Sequence, residues 1–131
     1  MNKRILIVED DFIAAKVAAY HLKHSGCEIV IVEDGLSALE LLTTHHEDYK
    51  GVYMDMGIPI ISGPDLCKAV RTFEAENVNL KPIPIIAVTA NYSSEAIKLY
   101  LSVGMQEVIN KPLTREKIKQ FLIKCELDFI L

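Results

Sequence analysis

Four apolar runs in this sequence are each followed by, or end on, a residue that could take part in chemistry. The first precedes Glu9 and Asp10, another ends on Asp55, a third ends on Thr89 and a fourth precedes Lys111. Three carboxylates held together repel one another, and a divalent cation is the simplest way to keep them ionised. Oxygen ligands without histidine or cysteine indicate Mg²⁺, which binds through carboxylates together with a phosphate. These residue types therefore predict a magnesium site that handles phosphoryl groups.

The role expected of each side chain follows from its type. A carboxylate such as Asp55 can attack phosphorus and form an acyl phosphate. The Lys111 ammonium and the metal would neutralise charge on the transferred oxygens, and Thr89 would donate a hydrogen bond to one of them. A phosphoryl group adds a charge of about −1.5 to −2. Such a charge can bias a loop or a helix between two positions.

The rest of the chain must bring these strand ends together, and its pattern predicts five strands that alternate with five helices. The strands are apolar runs at Arg4–Val8, Glu28–Val32, 52–55, Ile85–Thr89 and 107–109, and helical spacing follows each of them. Asp11, Ser93 or Ser94, and Thr114 are expected N-caps. Strict alternation predicts an α/β fold, in which a single doubly wound (βα)5 domain surrounds a five-stranded parallel sheet. The carboxyl ends of all strands then meet at one rim, where such folds bind ligands.

Polar stretches and isolated histidines are explained by structure more simply than by function. Residues 45–50 are predicted to be a polar loop, in which His45 and His46 could bind metal only adventitiously, and residues 74–84 are predicted to be a long connection. His21 is expected to pack against the core. The apolar ending 127–131 is expected to complete the last helix or to meet a partner.

Composition and charge argue against several classes of function. The 131 residues suffice for one domain with its own core, and a net charge of −4 with scattered lysines and arginines argues against nucleic acid as a partner. No apolar run approaches the ~20 residues that cross a bilayer, so no direct membrane insertion is expected. Three cysteines without metal-ligand spacing favour a reduced, cytoplasmic setting.

Five segments resemble, in order and spacing, the receiver domains of the two-component response-regulator family. They are Ile5-Leu-Ile-Val-Glu-Asp-Asp11, Met54-Asp-Met-Gly-Ile-Pro-Ile-Ile-Ser-Gly63, Ile85-Ile-Ala-Val-Thr-Ala90, Gly104 and Lys111-Pro112. The resemblance implies one response regulatory (receiver) domain over residues 1–131 with a flavodoxin-like fold. It also implies a phosphoacceptor in a phosphorelay, not an enzyme beyond its own phosphorylation and dephosphorylation. The donor would be a phosphohistidine on a histidine kinase or a histidine phosphotransfer domain.

The same resemblance assigns roles to individual residues. Asp55 would be the phosphoacceptor, and Mg²⁺ would be held by Glu9, Asp10, Asp55 and the backbone carbonyl of Gly57. Thr89 and Lys111 would contact the phosphoryl group, Ala90 would follow the switch threonine, and Lys111–Pro112 would be a cis peptide. A homodimer through the face formed by the fourth and fifth helices is also implied.

The sequence departs from the family pattern at a few positions. Family members often carry an aromatic residue where Val108 stands, and its ring movement reports the state of the threonine. A valine has no ring to move, so the output is expected from the loop after Thr89 and the following helix. Gly57 and Asn91 stand at the two positions where members of the family tune the lifetime of the acyl phosphate. Segments around Met54 and Gly104 are similar to receivers of hybrid histidine kinases, which favours the C-terminal receiver of such a kinase.

Three other functions are alternatives to the receiver hypothesis. The main alternative is a pseudo-receiver that is not phosphorylated and acts as a protein interaction module. An aspartyl phosphatase usually has a second aspartate two residues after the nucleophile, and here that residue is Gly57. A flavodoxin-like electron carrier needs a phosphate-binding loop after the first strand, where Glu9, Asp10 and Asp11 would repel a flavin phosphate.

Overall fold

Five parallel strands form one sheet in the computed structural model, which describes residues 3–127. They are β1 (Arg4–Val8), β2 (Glu28–Val32), β3 (Tyr49–Asp55), β4 (Ile85–Thr89) and β5 (Glu107–Asn110), arranged in the order β2-β1-β3-β4-β5. Strand β3 is therefore central, between β1 and β4. The predicted parallel, doubly wound α/β fold is confirmed.

A helix follows each strand, and a side-chain cap begins each helix. The helices are α1 (Phe12–Leu22), α2 (Gly35–Thr44), α3 (Gly63–Glu76), α4 (Ser94–Ser102) and α5 (Arg115–Lys124). The side chains of Asp11, Asp34, Ser62, Ser93 and Thr114 each accept a hydrogen bond from the N–H three residues further on. Each cap satisfies one backbone donor that has no partner within the helix. The predicted caps are confirmed, with Ser93 as the cap of α4.

The helices cover both faces of the sheet and create two cores. One face packs against α1 and α5 and includes Ile7, Tyr53 and Phe121. The other packs against α2, α3 and α4 and includes Met54 and Leu66. Because successive strand residues point to opposite faces, burial on both sides explains why the strands are apolar throughout and do not alternate.

The structure corrects the two predicted polar loops. Strand β3 already begins at Tyr49 after a short 3-10 helix, His46–Asp48, and α3 continues to Glu76. His46 and Glu74 are both buried, and the His46 Nε2 atom lies 2.6 Å from Glu74 Oε2. The prediction that His46 belongs to a polar loop is wrong, because His46 begins the 3-10 helix and its ring nitrogen has a buried partner 28 residues away.

Other expectations concern the ends of helices. His21 is half-buried and contacts the Tyr20 ring edge to face. Leu127 packs against the α1/α5 core, whereas the rest of the apolar ending, residues 128–131, lies outside the described residues. Among residues 3–127, no helix is long and apolar enough to span a membrane.

Candidate functional site

The carboxyl ends of β1, β3, β4 and β5 bring the candidate residues to one rim. Glu9 and Asp10 directly follow β1, Asp55 is the last residue of β3, Thr89 ends β4, and Lys111 follows β5. Strand register aligns these ends, because Val8 lies beside Met54 and Thr89 beside Asn110. The predicted convergence of the strand ends is confirmed, whereas the roles of the side chains stay predictions.

Three carboxylates form a tight acidic cluster at this rim. One oxygen from each of Glu9, Asp10 and Asp55 lies within 4.8 Å of the others. Glu9 is buried, and its Oε2 atom accepts a hydrogen bond of 3.1 Å from the Asp11 N–H. Its second oxygen, Oε1, is buried and has no hydrogen-bond partner among the described residues. A buried carboxylate oxygen that lacks a donor is suited to a cation.

Electrostatics within the cluster oppose the ionised form of Glu9. Burial raises the pKa of the Glu9 carboxyl above its ordinary value, and the negative charges of Asp55 and Asp10 add to this effect. The Asp11 N–H and the Lys111 ammonium act in the opposite direction. The cluster therefore carries negative charge that the described residues neutralise only in part.

Lys111 provides the positive charge nearest to Asp55. Its Nζ atom lies 2.8 Å from Asp55 Oδ1 and 3.7 Å from Glu9 Oε1. Burial by itself lowers the pKa of Lys111, but the hydrogen bond and charge of Asp55, with the charge of Glu9, leave that pKa raised. The side chain is therefore an ammonium at neutral pH. Its own N–H donates to the Thr89 carbonyl at 2.9 Å, and the peptide bond to Pro112 is cis.

The second Asp55 oxygen is held by the backbone of the loop after β3. The Gly57 N–H donates to Asp55 Oδ2 at 3.2 Å. Gly57 is thus close to the acceptor carboxylate, while the metal-binding role of its carbonyl stays a prediction. Sequence reasoning missed this N–H contact and that of the Asp11 N–H, since backbone donors leave no residue-type signal.

Thr89 ends β4 at the same rim as the acidic cluster, and its side chain bonds to its own loop. The residue is buried, and its Oγ1 atom accepts a hydrogen bond of 3.0 Å from the Asn91 N–H. Ala90 and the residues that follow, up to Glu95, are exposed. Val108 is buried in the core next to α4. In this bond the threonine hydroxyl is the acceptor, so the bond does not use the hydroxyl proton.

Apolar side chains near the rim are a feature that sequence reasoning missed. Phe12 and Ile13 begin α1 and are 69% and 73% exposed, and Ile60, in the loop between β3 and α3, is 74% exposed. Ile60 also has a left-handed φ of 73°, which is rare for a β-branched residue. The sequence signal for Phe12 and Ile13 is an apolar residue outside the core face of α1, and for Ile60 it is an apolar residue within a loop.

Replacing Asp10 by asparagine is expected to stabilise the folded protein in metal-free buffer. The substitution removes one of three carboxylates that repel one another, and we expect the free energy of unfolding to rise by about 1 kcal/mol. Urea denaturation with chelator present measures the change. Glu40→Gln, which removes an exposed charge on α2, is the control and should have little effect. Destabilisation by Asp10→Asn would contradict the repulsion inferred for the cluster.

A five-stranded parallel sheet with an acidic cluster and a lysine at its carboxyl rim is typical of flavodoxin-like signalling domains. The sequence model of the response regulator receiver domain matches residues 5–123. The chain therefore belongs to the response regulator receiver domain family, and it is a receiver domain of two-component signalling. The resemblance inferred from the sequence is confirmed.

The two named relatives below are much longer proteins, and each matches this chain over a small part of its length. Transcription factor SKN7 of Saccharomyces cerevisiae is 34% identical over 126 residues, which are 96% of this chain and 19% of that protein. Hybrid signal transduction histidine kinase M of Dictyostelium discoideum is 34% identical over 109 residues, covering 83% of this chain and 4% of the kinase. The chain thus spans a fifth or less of the length of these two relatives.

Solved structures of receiver domains share the fold. The receiver domain of sensor histidine kinase PA1611 from Pseudomonas aeruginosa, with a magnesium ion in its active site cleft, has a TM-score of 0.74 at 24% identity, covering 92% of this chain and 98% of that one. The receiver domain of Saccharomyces cerevisiae Ssk1, solved with the histidine phosphotransfer protein Ypd1, has a TM-score of 0.80 at 24% identity, covering 92% and 88%. At this identity the likeness establishes the fold.

Proposed function

We propose that this receiver domain accepts a phosphoryl group on Asp55 from a phosphohistidine of a histidine kinase or histidine phosphotransfer domain. The observation that carries the proposal is the setting of Asp55. One of its oxygens is 2.8 Å from the Lys111 ammonium, and the carboxylates of Glu9 and Asp10 lie beside it. The domain extends over residues 1–131, and the phosphorylated form differs from the unmodified form in its affinity for a partner.

The transfer balances as a simple displacement at phosphorus. A carboxylate oxygen of Asp55 attacks the phosphorus, and the bond between phosphorus and the donor's imidazole nitrogen breaks, with its electron pair going to that nitrogen. Lys111 neutralises charge on the phosphoryl oxygens in place of the charge it now neutralises on Asp55. The Thr89 hydroxyl then donates its proton to a phosphoryl oxygen in a hydrogen bond.

The acidic cluster suits Mg²⁺. All its side-chain donors are hard carboxylate oxygens, and Glu9 Oε1 is buried without a hydrogen-bond partner among the described residues. Glu9, Asp10, Asp55 and the carbonyl of Gly57 would hold the ion. When bound, Mg²⁺ supplies positive charge that offsets the carboxylates and the incoming phosphoryl oxygens. The magnesium bound by the receiver of PA1611 supports this assignment.

A docking surface for the donor surrounds Asp55. For in-line transfer the phosphohistidine must reach Asp55 directly, so the donor has to cover the neighbouring surface. Phe12, Ile13 and Ile60 expose large apolar side chains there. Burying such side chains favours association. The complex of Ypd1 with the Ssk1 receiver supports a histidine phosphotransfer domain as this kind of partner.

The conformational change caused by phosphorylation would be transmitted through the loop after Thr89. Moving the Thr89 hydroxyl toward a phosphoryl group breaks its bond to the Asn91 N–H, which lies in the exposed segment before the α4 cap, Ser93. Since Val108 has no ring to reorient, this loop and α4 would carry the change. A homodimer through α4 and α5 is one form that the altered affinity could take.

The similarity to hybrid kinase M supports a hybrid histidine kinase as the protein to which this domain belongs. Three free cysteines fit a cytoplasmic setting.

Intact-protein mass after incubation with acetyl phosphate and Mg²⁺ tests the proposal. The natural sequence is expected to gain one phosphoryl, about 80 Da for HPO₃, and the gain should disappear with chelator or in Asp55→Asn. Asp65→Asn, at an exposed aspartate in the first turn of α3, is the matched control and should be labelled normally. A folded natural protein that gains no mass, while another receiver is labelled, would instead support the pseudo-receiver that acts as an interaction module.

A further inference from the structure

We propose that Lys117 is a positioning residue that holds the loop on both sides of Lys111. The Lys117 ammonium donates to the Asn110 carbonyl at 2.7 Å and to the Pro112 carbonyl at 3.1 Å. These two carbonyls belong to the residues directly before and after Lys111 in the chain. This inference deepens the proposed function and rests on it, because Lys111 matters there as the group that meets the phosphoryl oxygens.

Lys111 has to be held from both sides if its side chain is to stay at the acidic cluster. Its own N–H bonds to the Thr89 carbonyl at 2.9 Å, which joins the loop to β4. On the side toward α5, the Lys117 ammonium bonds to the carbonyl of Asn110, the last residue of β5, and to that of Pro112. A single ammonium with three donors can hold two carbonyls at once, and the charge strengthens both hydrogen bonds.

Lys117 stands where local helix rules favour the opposite charge. Thr114 caps α5 and accepts a hydrogen bond from the Lys117 N–H at 3.2 Å, so Lys117 is the third residue of the helix. The third position after a threonine cap favours glutamate, and a positive charge in the first turn opposes the helix dipole. A residue that breaks a local rule usually serves a purpose outside its own helix. Here the ammonium turns back to the two carbonyls beside Lys111.

Removing the Lys117 ammonium should therefore make the position of Lys111 at the phosphoryl site less precise. The Lys117 ammonium bonds to two backbone carbonyls and to none of the three carboxylates of the acidic cluster, so Mg²⁺ binding should not depend on it. The Lys111 ammonium, in contrast, should spend less time at Asp55 when the loop is looser. Small displacements of a charge-neutralising group lower rates without abolishing them.

Four variants test the inference: Lys117→Met, Lys117→Gln, Lys117→Arg and Lys68→Met, the last at an exposed lysine of α3. Three quantities are measured on each: the rate of mass gain with acetyl phosphate, Mg²⁺ affinity by calorimetry, and amide hydrogen exchange at Lys111. In Lys117→Met we expect the rate to fall about 3- to 10-fold and the Lys111 amide to exchange faster, with Mg²⁺ affinity unchanged. Arginine should restore both, glutamine should be intermediate, and Lys68→Met should match the natural protein.

The outcomes separate this inference from the proposed function. A natural protein that is never phosphorylated defeats the proposed function, while exchange at the Lys111 amide still decides whether Lys117 orders the loop. Unchanged labelling and unchanged exchange in Lys117→Met would overturn the positioning role. So would a loss of rate matched by an equal loss of Mg²⁺ affinity, or a loss that arginine does not restore, because a general structural defect would explain either.

Discussion

Replacing Glu74 by glutamine is expected to lower the free energy of unfolding by about 3 to 5 kcal/mol. The Glu74 side chain is almost completely buried at the end of α3 and accepts three hydrogen bonds. One oxygen receives Arg71 Nη1 at 2.6 Å, and the other receives the Ile83 N–H at 2.7 Å and lies 2.6 Å from His46 Nε2. The carboxylate thus joins α3 to the 3-10 helix before β3 and to the segment before β4.

A glutamine of the same shape cannot replace these bonds. One end of an amide is a donor, so either orientation turns an NH₂ toward Arg71 or toward the Ile83 N–H, each of which is itself a donor. The change also leaves Arg71 without the anion to which it is bonded, and a buried group without its partner costs its full desolvation. Arg71 also donates to the Gly104 carbonyl, through Nε at 3.0 Å and Nη2 at 2.8 Å. Displacing Arg71 should therefore also weaken the packing of the segment that follows α4.

Urea denaturation of Glu74→Gln and the natural protein measures the effect. Glu76→Gln is the matched control, because Glu76 ends the same helix but is exposed. Its change should stay within about 0.5 kcal/mol. If Glu74→Gln cost less than about 1 kcal/mol, the buried carboxylate would not be the main link between these segments.

Replacing Gly35 by alanine is expected to destabilise the protein by about 2 to 3 kcal/mol. Gly35 begins α2 and packs directly under the loop between β3 and α3. A Cβ atom there would approach the Ile61 backbone oxygen and its Cβ at 2.8 Å, and the Gly35 N–H already donates to the Pro59 carbonyl at 3.2 Å. Backbone cannot rotate away as a side chain can, so the loop itself would have to move.

Whether Gly35→Ala raises or lowers the stability of the protein shows whether the contact with Ile61 matters. Alanine favours a helix over glycine by about 1 kcal/mol, so without the contact the substitution should stabilise the protein. Gly57→Ala, in the loop that Gly35 contacts, is the control. Its Cβ would meet only the Asp55 Oδ2 atom, at an ordinary 3.4 Å. Thermal unfolding compares the two variants. A Gly35→Ala protein as stable as the natural one would show that the loop yields easily.

Local patterns predicted most of the fold because each depends on neighbouring residues. The bounds of β1, β2 and β4 agree with the continuous apolar runs, and the caps Asp11 and Thr114 agree with helix-start chemistry. Parallel strands direct their carboxyl ends to one rim, so the meeting of the acidic residues with Lys111 followed from alternation alone. The roles of these residues at the rim stay predictions.

The sequence by itself thus determined the five strand and helix repeats, the acidic rim and the lysine that faces it. Only the tertiary structure decided the partners of polar groups that lie far apart in the chain. His46 and Glu74 looked like loop residues because their polarity gave no sign of the buried pair they form. The same holds for Glu9 Oε1, which has no hydrogen-bond partner among the described residues, and for the Lys117 bonds on both sides of Lys111. A residue type states which hydrogen bonds a side chain can make, whereas packing alone states which groups come within reach.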